Sequence, residues 1–125
     1  MNDAIRDLER VARLTESEGG QNWREDPFVY GVRDQTNVMV ARSREERAAS
    51  ITHIALNDPE AVLRRCAADR KILGMHQPVT VEYDDDSPPT QACRTCGSHF
   101  EYPTAWPCST LRALAEGYGW TEGQR

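Results

Sequence analysis

Apolar residues first recur along this chain with a helical period. Between Asp3 and Ser17, Ile5, Leu8, Val11, Ala12 and Leu14 are spaced three or four apart among Asp, Glu and Arg, and the pattern stops at Gly19-Gly20, which predicts a first helix. The polar stretch Gln21 to Pro27 reads as a loop. Phe28-Val29-Tyr30-Gly31-Val32 and Val38-Met39-Val40 are β-rich runs on either side of Asp34-Gln35-Thr36-Asn37, which predicts a short β-hairpin. Ser43-Arg44-Glu45-Glu46 has the form of a capping box, in which the Ser43 hydroxyl and the Glu46 carboxylate satisfy free amides at each other's position. A second helix is expected from there to Asn57, with Ala48, Ile51, Ile54 and Ala55 on one side. Asp58-Pro59 then supplies a fresh N-cap and a proline suited to the first helical position. The third helix should run to about Leu73, present Val62, Leu63, Cys66, Ala67, Ile72 and Leu73, and close at Gly74.

Further on, Pro78 to Tyr83 predicts a strand, and Asp84-Asp85-Asp86-Ser87-Pro88-Pro89 has turn and linker chemistry. The aspartates lack the spacing and closing glutamate of a calcium loop. His99 to Tyr102 reads as a short strand. A last helix, capped by Ser109, carries Leu111, Leu114, Ala115 and Tyr118 on one face. The expected fold class is a small α+β domain, mainly helical with about four helices, a short β-hairpin and a C-terminal zinc-knuckle or treble-clef-like unit. Its organisation is a helix–hairpin–helix–helix part over 1–78, an acidic, Pro-rich linker over 79–92, a zinc-binding unit with the last helix over 93–118, and a tail over 119–125.

Composition makes the core thin. Of 125 residues 38% are hydrophobic, against a usual share of ~45–50%, so a metal cross-link would be a useful supplement. A net charge of −5 weighs against a nonspecific grip on phosphate backbones, which makes protein a more expected partner than nucleic acid. Arg64, Arg65, Arg70 and Lys71 cluster on the predicted third helix, but Asp69 sits among them and solvated helix faces commonly look the same. Lys71 is the only lysine among fifteen basic residues, a bias typical of a GC-rich genome. No run approaches the ~20 apolar residues of a membrane span, and Met1 to Ile5 lacks the regions of a signal peptide. The expectation is a cytoplasmic protein with no membrane partner.

The four cysteines carry the chemistry. Cys93-Arg94-Thr95-Cys96-Gly97 places two thiolates one tetrahedral edge apart, and Trp106-Pro107-Cys108 adds a third at the start of the last helix, where the dipole favours its charge. In a reducing compartment this layout points to a structural zinc ion in preference to a disulfide. One ligand is missing. His76, just past the third helix, is the favoured fourth ligand. His99 is the alternative, although the chain leaving a knuckle usually heads away from it. His53 ranks third and reads more simply as a core or cap histidine. Cys66, mid-helix, reads as a small hydrophobe. Thiol redox chemistry would need a thioredoxin-like βαβ frame before Cys93, which is not present. A hydrolase or deaminase using three cysteines and water would need a base such as Glu101. With no His-Glu-x-x-His, nucleophile elbow or phosphate loop, the chain is not expected to be an enzyme.

Several motifs together resemble a family of small uncharacterised proteins of high-GC Gram-positive bacteria and their phages. They are His53-Ile54-Ala55, Asp58-Pro59-x-x-Val62-Leu63-Arg64, Ala68-x-Arg70-x-Ile72-Leu73-x-x-His76, Cys93-x-x-Cys96, and Trp106-Pro107-Cys108-x-Thr110-Leu111-Arg112-x-Leu114-Ala115, spanning residues 44 to 118. The resemblance implies a helical domain with a cysteine-bearing C-terminal unit, supports His76 as a ligand, and implies no activity. Tyr118-Gly119-Trp120 departs from the Tyr-Ala-Asp-His-Pro continuation common in that family, so no ligand comes from there. The expected function is that of a small zinc-stabilised accessory protein of phage or prophage origin, acting through contacts with a host or phage protein. A nucleic-acid-binding regulator using the arginine-bearing helices is the alternative, and thiol redox or zinc hydrolase/deaminase activity the second alternative.

Overall fold

A computed structural model describes residues 1–26, 28–43, 48–97 and 102–121. The chain is a small α+β protein with four helices, a three-stranded antiparallel sheet and a two-stranded hairpin. It divides into two compact units, Asp3–Ala67 and Met1–Asn2 with Ala68–Arg125.

In the N-terminal unit, α1 (Asn2–Gly19) buries Ile5 and Ala12, while Leu8, Val11 and Leu14 stay 44–54% exposed. The apolar face of α1 is thus wider than the part it buries. Three strands follow as a meander: β1 (Trp23–Asp26), β2 (Gly31–Asp34) and β3 (Met39–Arg42). Trp23 pairs with Asp34 and Asp26 with Gly31 across the first turn, and a register irregularity lies between Val32 and Arg33. This corrects two expectations. Gln21 to Pro27 contains a strand, which lacks apolar alternation because it is an edge strand paired on one side only. Phe28 to Tyr30 is not a strand but the turn from β1 to β2, where Asp26 accepts the Phe28 amide and Phe28 is 92% exposed. The Ser43 to Glu46 capping box falls largely on 44–47, outside the described residues.

Helix α2 (Ala48–Leu56) packs against all three strands and buries Ile51. The corner into α3 (Pro59–Met75) is held by Asp58. Its Oδ1 accepts the Ala61 amide at 2.8 Å as an N-cap, and its Oδ2 accepts the Trp23 amide at 3.1 Å, tying β1 to the same carboxylate. An N-cap of this kind contributes about 1 kcal/mol. Gly74 lies inside α3 and does not close it.

In the C-terminal unit, β4 (Pro78–Val81) pairs with β5 (Thr90–Cys93), Pro78 opposite Cys93 and Val81 opposite Thr90. The stretch 79–92, expected as a linker, therefore holds the rest of β4, a loop and most of β5. Within that loop Asp84 accepts the amides of Asp86 and Ser87 and serves as a turn residue. The chain returns beside β5 through an Ala92–Ala105 bridge. Helix α4 (Ser109–Gly117) has Cys108, not Ser109, at its N-cap, and buries Leu111. Among the described residues no helix is long and apolar enough to cross a membrane.

Asp34 is the buried carboxylate of the sheet. Its Oδ1 accepts from the Thr36 hydroxyl at 2.7 Å, the Thr36 amide at 2.9 Å and the Val38 amide at 3.0 Å, closing the turn in which Asn37 takes a positive φ. These bonds, the Thr36 hydroxyl foremost, hold its pKa below the ordinary carboxylate value. A depressed carboxyl stabilises the fold fully above its unfolded pKa and loses that contribution as pH falls through the lower native value. In urea titrations from pH 7 downward, the stability lead of the native protein over Asp34→Asn is expected to hold to about pH 4 and to shrink below it. A lead that stays constant to the lowest pH at which the protein folds would contradict this.

Candidate metal centre

Among its described residues the C-terminal unit has a small aliphatic core. Its buried cluster is Cys93, Cys108 and Leu111, with Met1, Ile72 and Leu73 packed against it. Two of the three buried members are thiols, and the reason is their common neighbour, His76.

His76 follows the last residue of α3, its amide still bonded to the Ile72 carbonyl. Its Nδ1 lies 3.3 Å from Cys93 Sγ, 3.5 Å from Cys96 Sγ and 3.4 Å from Cys108 Sγ. Four donor atoms, one from each residue, all lie within 4.8 Å of one another, and none of the cysteines is in a disulfide. Metal–sulfur bonds of about 2.3 Å and metal–nitrogen bonds of about 2.0–2.1 Å in a tetrahedron put sulfur and nitrogen about 3.5 Å apart. The observed separations fit that edge, and this cluster can hold a metal ion. His76, Cys93 and Cys108 are buried and Cys96 is exposed as a residue, although its sulfur faces the others.

Each donor is delivered by a different device. Cys93 ends β5 and Cys96 closes the turn after it, where Gly97 donates its amide to the Cys93 carbonyl at 3.1 Å. Gly97 has a φ of 155°, and a Cβ there would come within 3.1 Å of Thr104 Oγ1, so the turn needs glycine. Cys108 sits at the N-cap of α4 in extended conformation, with its sulfur at the positive end of the helix dipole.

Three consecutive carbonyls around His76 tie these segments together. Met75 O accepts the Thr95 hydroxyl, His76 O accepts the Trp106 indole N–H at 2.8 Å, and Gln77 O accepts the Arg94 amide at 3.0 Å. Thr95 and Arg94 lie inside the Cys-x-x-Cys turn, and Trp106 lies two residues before Cys108. Groups that are not donors to the cluster thus align the groups that are.

Electrostatics explain how four such groups share a small space. Burial pushes the Cys93 thiol up, but hydrogen bonding with the Cys96 amide, His76, the Thr95 amide and Cys108 brings it down to about 6. Cys96 goes the other way, pushed up to about 11 by desolvation of its sulfur and by Cys108 and Cys93 beside it. One negative charge is accommodated by hydrogen bonds and a second is resisted. A divalent cation removes that conflict, because it lets all three thiols ionise.

The other residues singled out from sequence are placed as follows. His53 is exposed on α2 and is not in the cluster, and His99 and Glu101 lie outside the described residues. Cys66 is buried on α3 with its sulfur 4.0 Å from the Ile5 carbonyl. Arg64 pairs loosely with Glu60 and Arg65 bonds Asn57, both at the surface. The sequence reading missed the supporting roles of Thr95 and Trp106. Their positions beside the cysteines were the available signal, but their acceptors are backbone carbonyls, which no side-chain pattern reveals.

Removing the indole donor while keeping an aromatic ring isolates this support. Trp106→Phe is expected to retain the secondary structure by circular dichroism and to weaken metal retention roughly tenfold against a chromophoric chelator. Unchanged retention would show that the His76 carbonyl needs no such partner.

No curated protein and no solved structure matches the chain. One family model does, over residues 4–119, and it takes in both units and all four clustered side chains. The chain therefore belongs to the family of unknown function DUF6221.

Proposed function

We propose that this is a small zinc-stabilised accessory protein that works by contacting another macromolecule, a protein in the first instance. The observation that carries the reading is the closed donor set. His76, Cys93, Cys96 and Cys108 supply four protein donors, which is the full complement of a structural zinc, whereas a catalytic zinc keeps a position for water. Among the described residues no carboxylate joins the cluster as a base. Three thiolates and an imidazole favour zinc over hard cations such as magnesium or calcium. Such a centre supplies cohesion where the apolar core is small, and reduced thiols suit a cytoplasmic setting.

Contact with a protein is supported by the large apolar side chains left at the surface of the N-terminal unit, Leu8, Val11, Leu14 and Phe28. The motif resemblance to proteins of high-GC Gram-positive bacteria and their phages makes a phage or prophage protein that modulates its host one form of this reading.

Elemental analysis of protein purified under reducing conditions is expected to give one equivalent of zinc per chain. Cys93→Ser and Cys108→Ser should lose it and melt roughly 10 °C lower or more, since each kcal/mol lost moves the Tm of a domain this size by about 4 °C. Metal-free protein with an unchanged Tm in Cys93→Ser would remove the structural role. For the contact itself, the protein is expected to capture a host protein reproducibly, and Phe28→Ser to reduce that capture several-fold. Equal capture by both would move the contact away from Phe28.

A further inference from the structure

The four cysteines differ in their access to solvent. Cys66, Cys93 and Cys108 are at most 2% exposed, whereas Cys96 is an exposed residue. Cys66 belongs to the N-terminal unit, where its sulfur lies on the Ile5 carbonyl. The other three meet in the cluster, and there the Cys96 sulfur is no more than 4.8 Å from each of the two buried ones. An accessible thiol with a second thiol at hand is the arrangement in which oxidation ends in a disulfide and stops short of the higher sulfur acids.

The local backbone selects which buried thiol becomes the partner. Cys93 and Cys96 bracket one turn, in which the Gly97 amide bonds the Cys93 carbonyl at 3.1 Å and the Cys96 amide lies 3.5 Å from the Cys93 sulfur. Residues three apart across a turn are within about 7 Å at their Cα atoms, a span close to what a disulfide bridges. Cys108 stands instead at the N-cap of α4, a helix held by the buried Leu111, and Trp106 just before it is tied to the His76 carbonyl. Drawing Cys108 onto Cys96 would shift a helix start, whereas Cys93 and Cys96 close on each other within their own turn. That turn is also fixed by bonds that involve no sulfur, from the Thr95 hydroxyl to the Met75 carbonyl and from the Arg94 amide to the Gln77 carbonyl. It therefore keeps its place when the sulfurs change partner.

We propose that Cys96 is an oxidation site for hydroperoxides and that Cys93 resolves it as a disulfide, which makes the donor set of the C-terminal unit redox-sensitive. In the first step the Cys96 sulfur attacks the peroxide, the O–O bond breaks, and the thiol becomes a sulfenic acid while the hydroperoxide leaves as an alcohol, or as water from hydrogen peroxide. In the second the Cys93 sulfur attacks that of Cys96, the S–S bond forms, and the sulfenic hydroxyl departs as water with the Cys93 proton. Two thiols lose two electrons, and one peroxide gains them. The oxidation needs the thiols alone. Its consequence rests on the zinc reading: only His76 and Cys108 remain of the four donors, too few for a structural zinc.

The test treats reduced protein of measured zinc content with a few equivalents of hydrogen peroxide, alkylates the remaining thiols after denaturation, and maps linkages by tandem mass spectrometry. The expected product is two hydrogens lighter, joins Cys93 to Cys96, carries the alkyl group on Cys66 and Cys108, and has released its zinc to a chromophoric chelator in step with the disulfide. Dithiothreitol should reverse the linkage. Cys96→Ser is expected to form disulfide roughly tenfold more slowly. That variant also removes a donor, so the linkage map of the native sequence decides alone. A crosslink through Cys108 or Cys66, a sulfinic acid at Cys96 in place of the disulfide, or zinc that stays bound to the oxidised protein would overturn the proposal. Zinc-bearing protein whose thiols resist peroxide sinks the oxidation site and leaves the metal reading intact. A Cys93–Cys96 disulfide in protein that never held zinc does the reverse.

Discussion

Three sulfurs meeting one imidazole nitrogen is the constraint on which the C-terminal unit depends. Cys93 and Cys108 occupy the positions that Leu or Ile would fill in a larger domain, and among the described residues Leu111, Ile72, Leu73 and Met1 pack around them. A thiol buries less apolar area than a branched aliphatic side chain, so such a cluster is a weak core if its members merely touch. It is also an electrostatically awkward one. The hydrogen bonds that draw Cys93 down to about 6 provide for one charge, and the push on Cys96 to about 11 shows the resistance to the next. Neither difficulty remains when a cation is shared by all four groups, which is why the spacing and the charge pattern lead to the same reading.

The N-terminal unit meets its shortage of apolar residues differently. Among the described residues Val32, Ile5 and Ile51 are its large buried aliphatics, and two carboxylates do much of the remaining organising. Asp34 gathers three donors within its own turn, so the β2–β3 connection is determined locally. Asp58 acts over a longer range, because its two oxygens bind residues 3 and 35 positions away and so join α3 to β1. A backbone pair between the Glu60 amide and the Gln21 carbonyl reinforces that join. Small polar side chains that accept several amides can set chain direction where packing alone leaves it loose.

What was legible in the sequence follows from how each element announces itself. Helices α1 and α4 carry a 3.6-residue apolar period, and Asp58-Pro59 marks the start of α3 through a cap that the structure shows in use. The cysteine spacing marked a metal site because thiolate geometry is local in Cys-x-x-Cys and helix starts are recognisable. His76 was harder to single out, since its approach to the sulfurs depends on β4 and β5 pairing so that Pro78 faces Cys93. Strand β5 itself, Thr90-Gln91-Ala92-Cys93, follows a run of aspartates and prolines and has no alternation to reveal it. Strand β1 is similarly hidden, being Trp23-Arg24-Glu25-Asp26 on an edge. In both, pairing with a neighbour outweighed intrinsic preference, which is the usual way strands escape a one-dimensional reading.

The three carbonyls of Met75, His76 and Gln77 show how a short segment can serve as the reference frame for a whole unit. Each accepts from a different donor, and the donors belong to the two segments that carry the cysteines. The cysteine sulfurs are therefore aligned by bonds in which they take no part, so the four-donor geometry does not have to be created by the ion that would occupy it. Preorganisation of this kind reduces the ordering cost of binding and favours the cation whose preferred geometry matches the frame. It also places the His76 ring with its Nδ1 toward all three sulfurs.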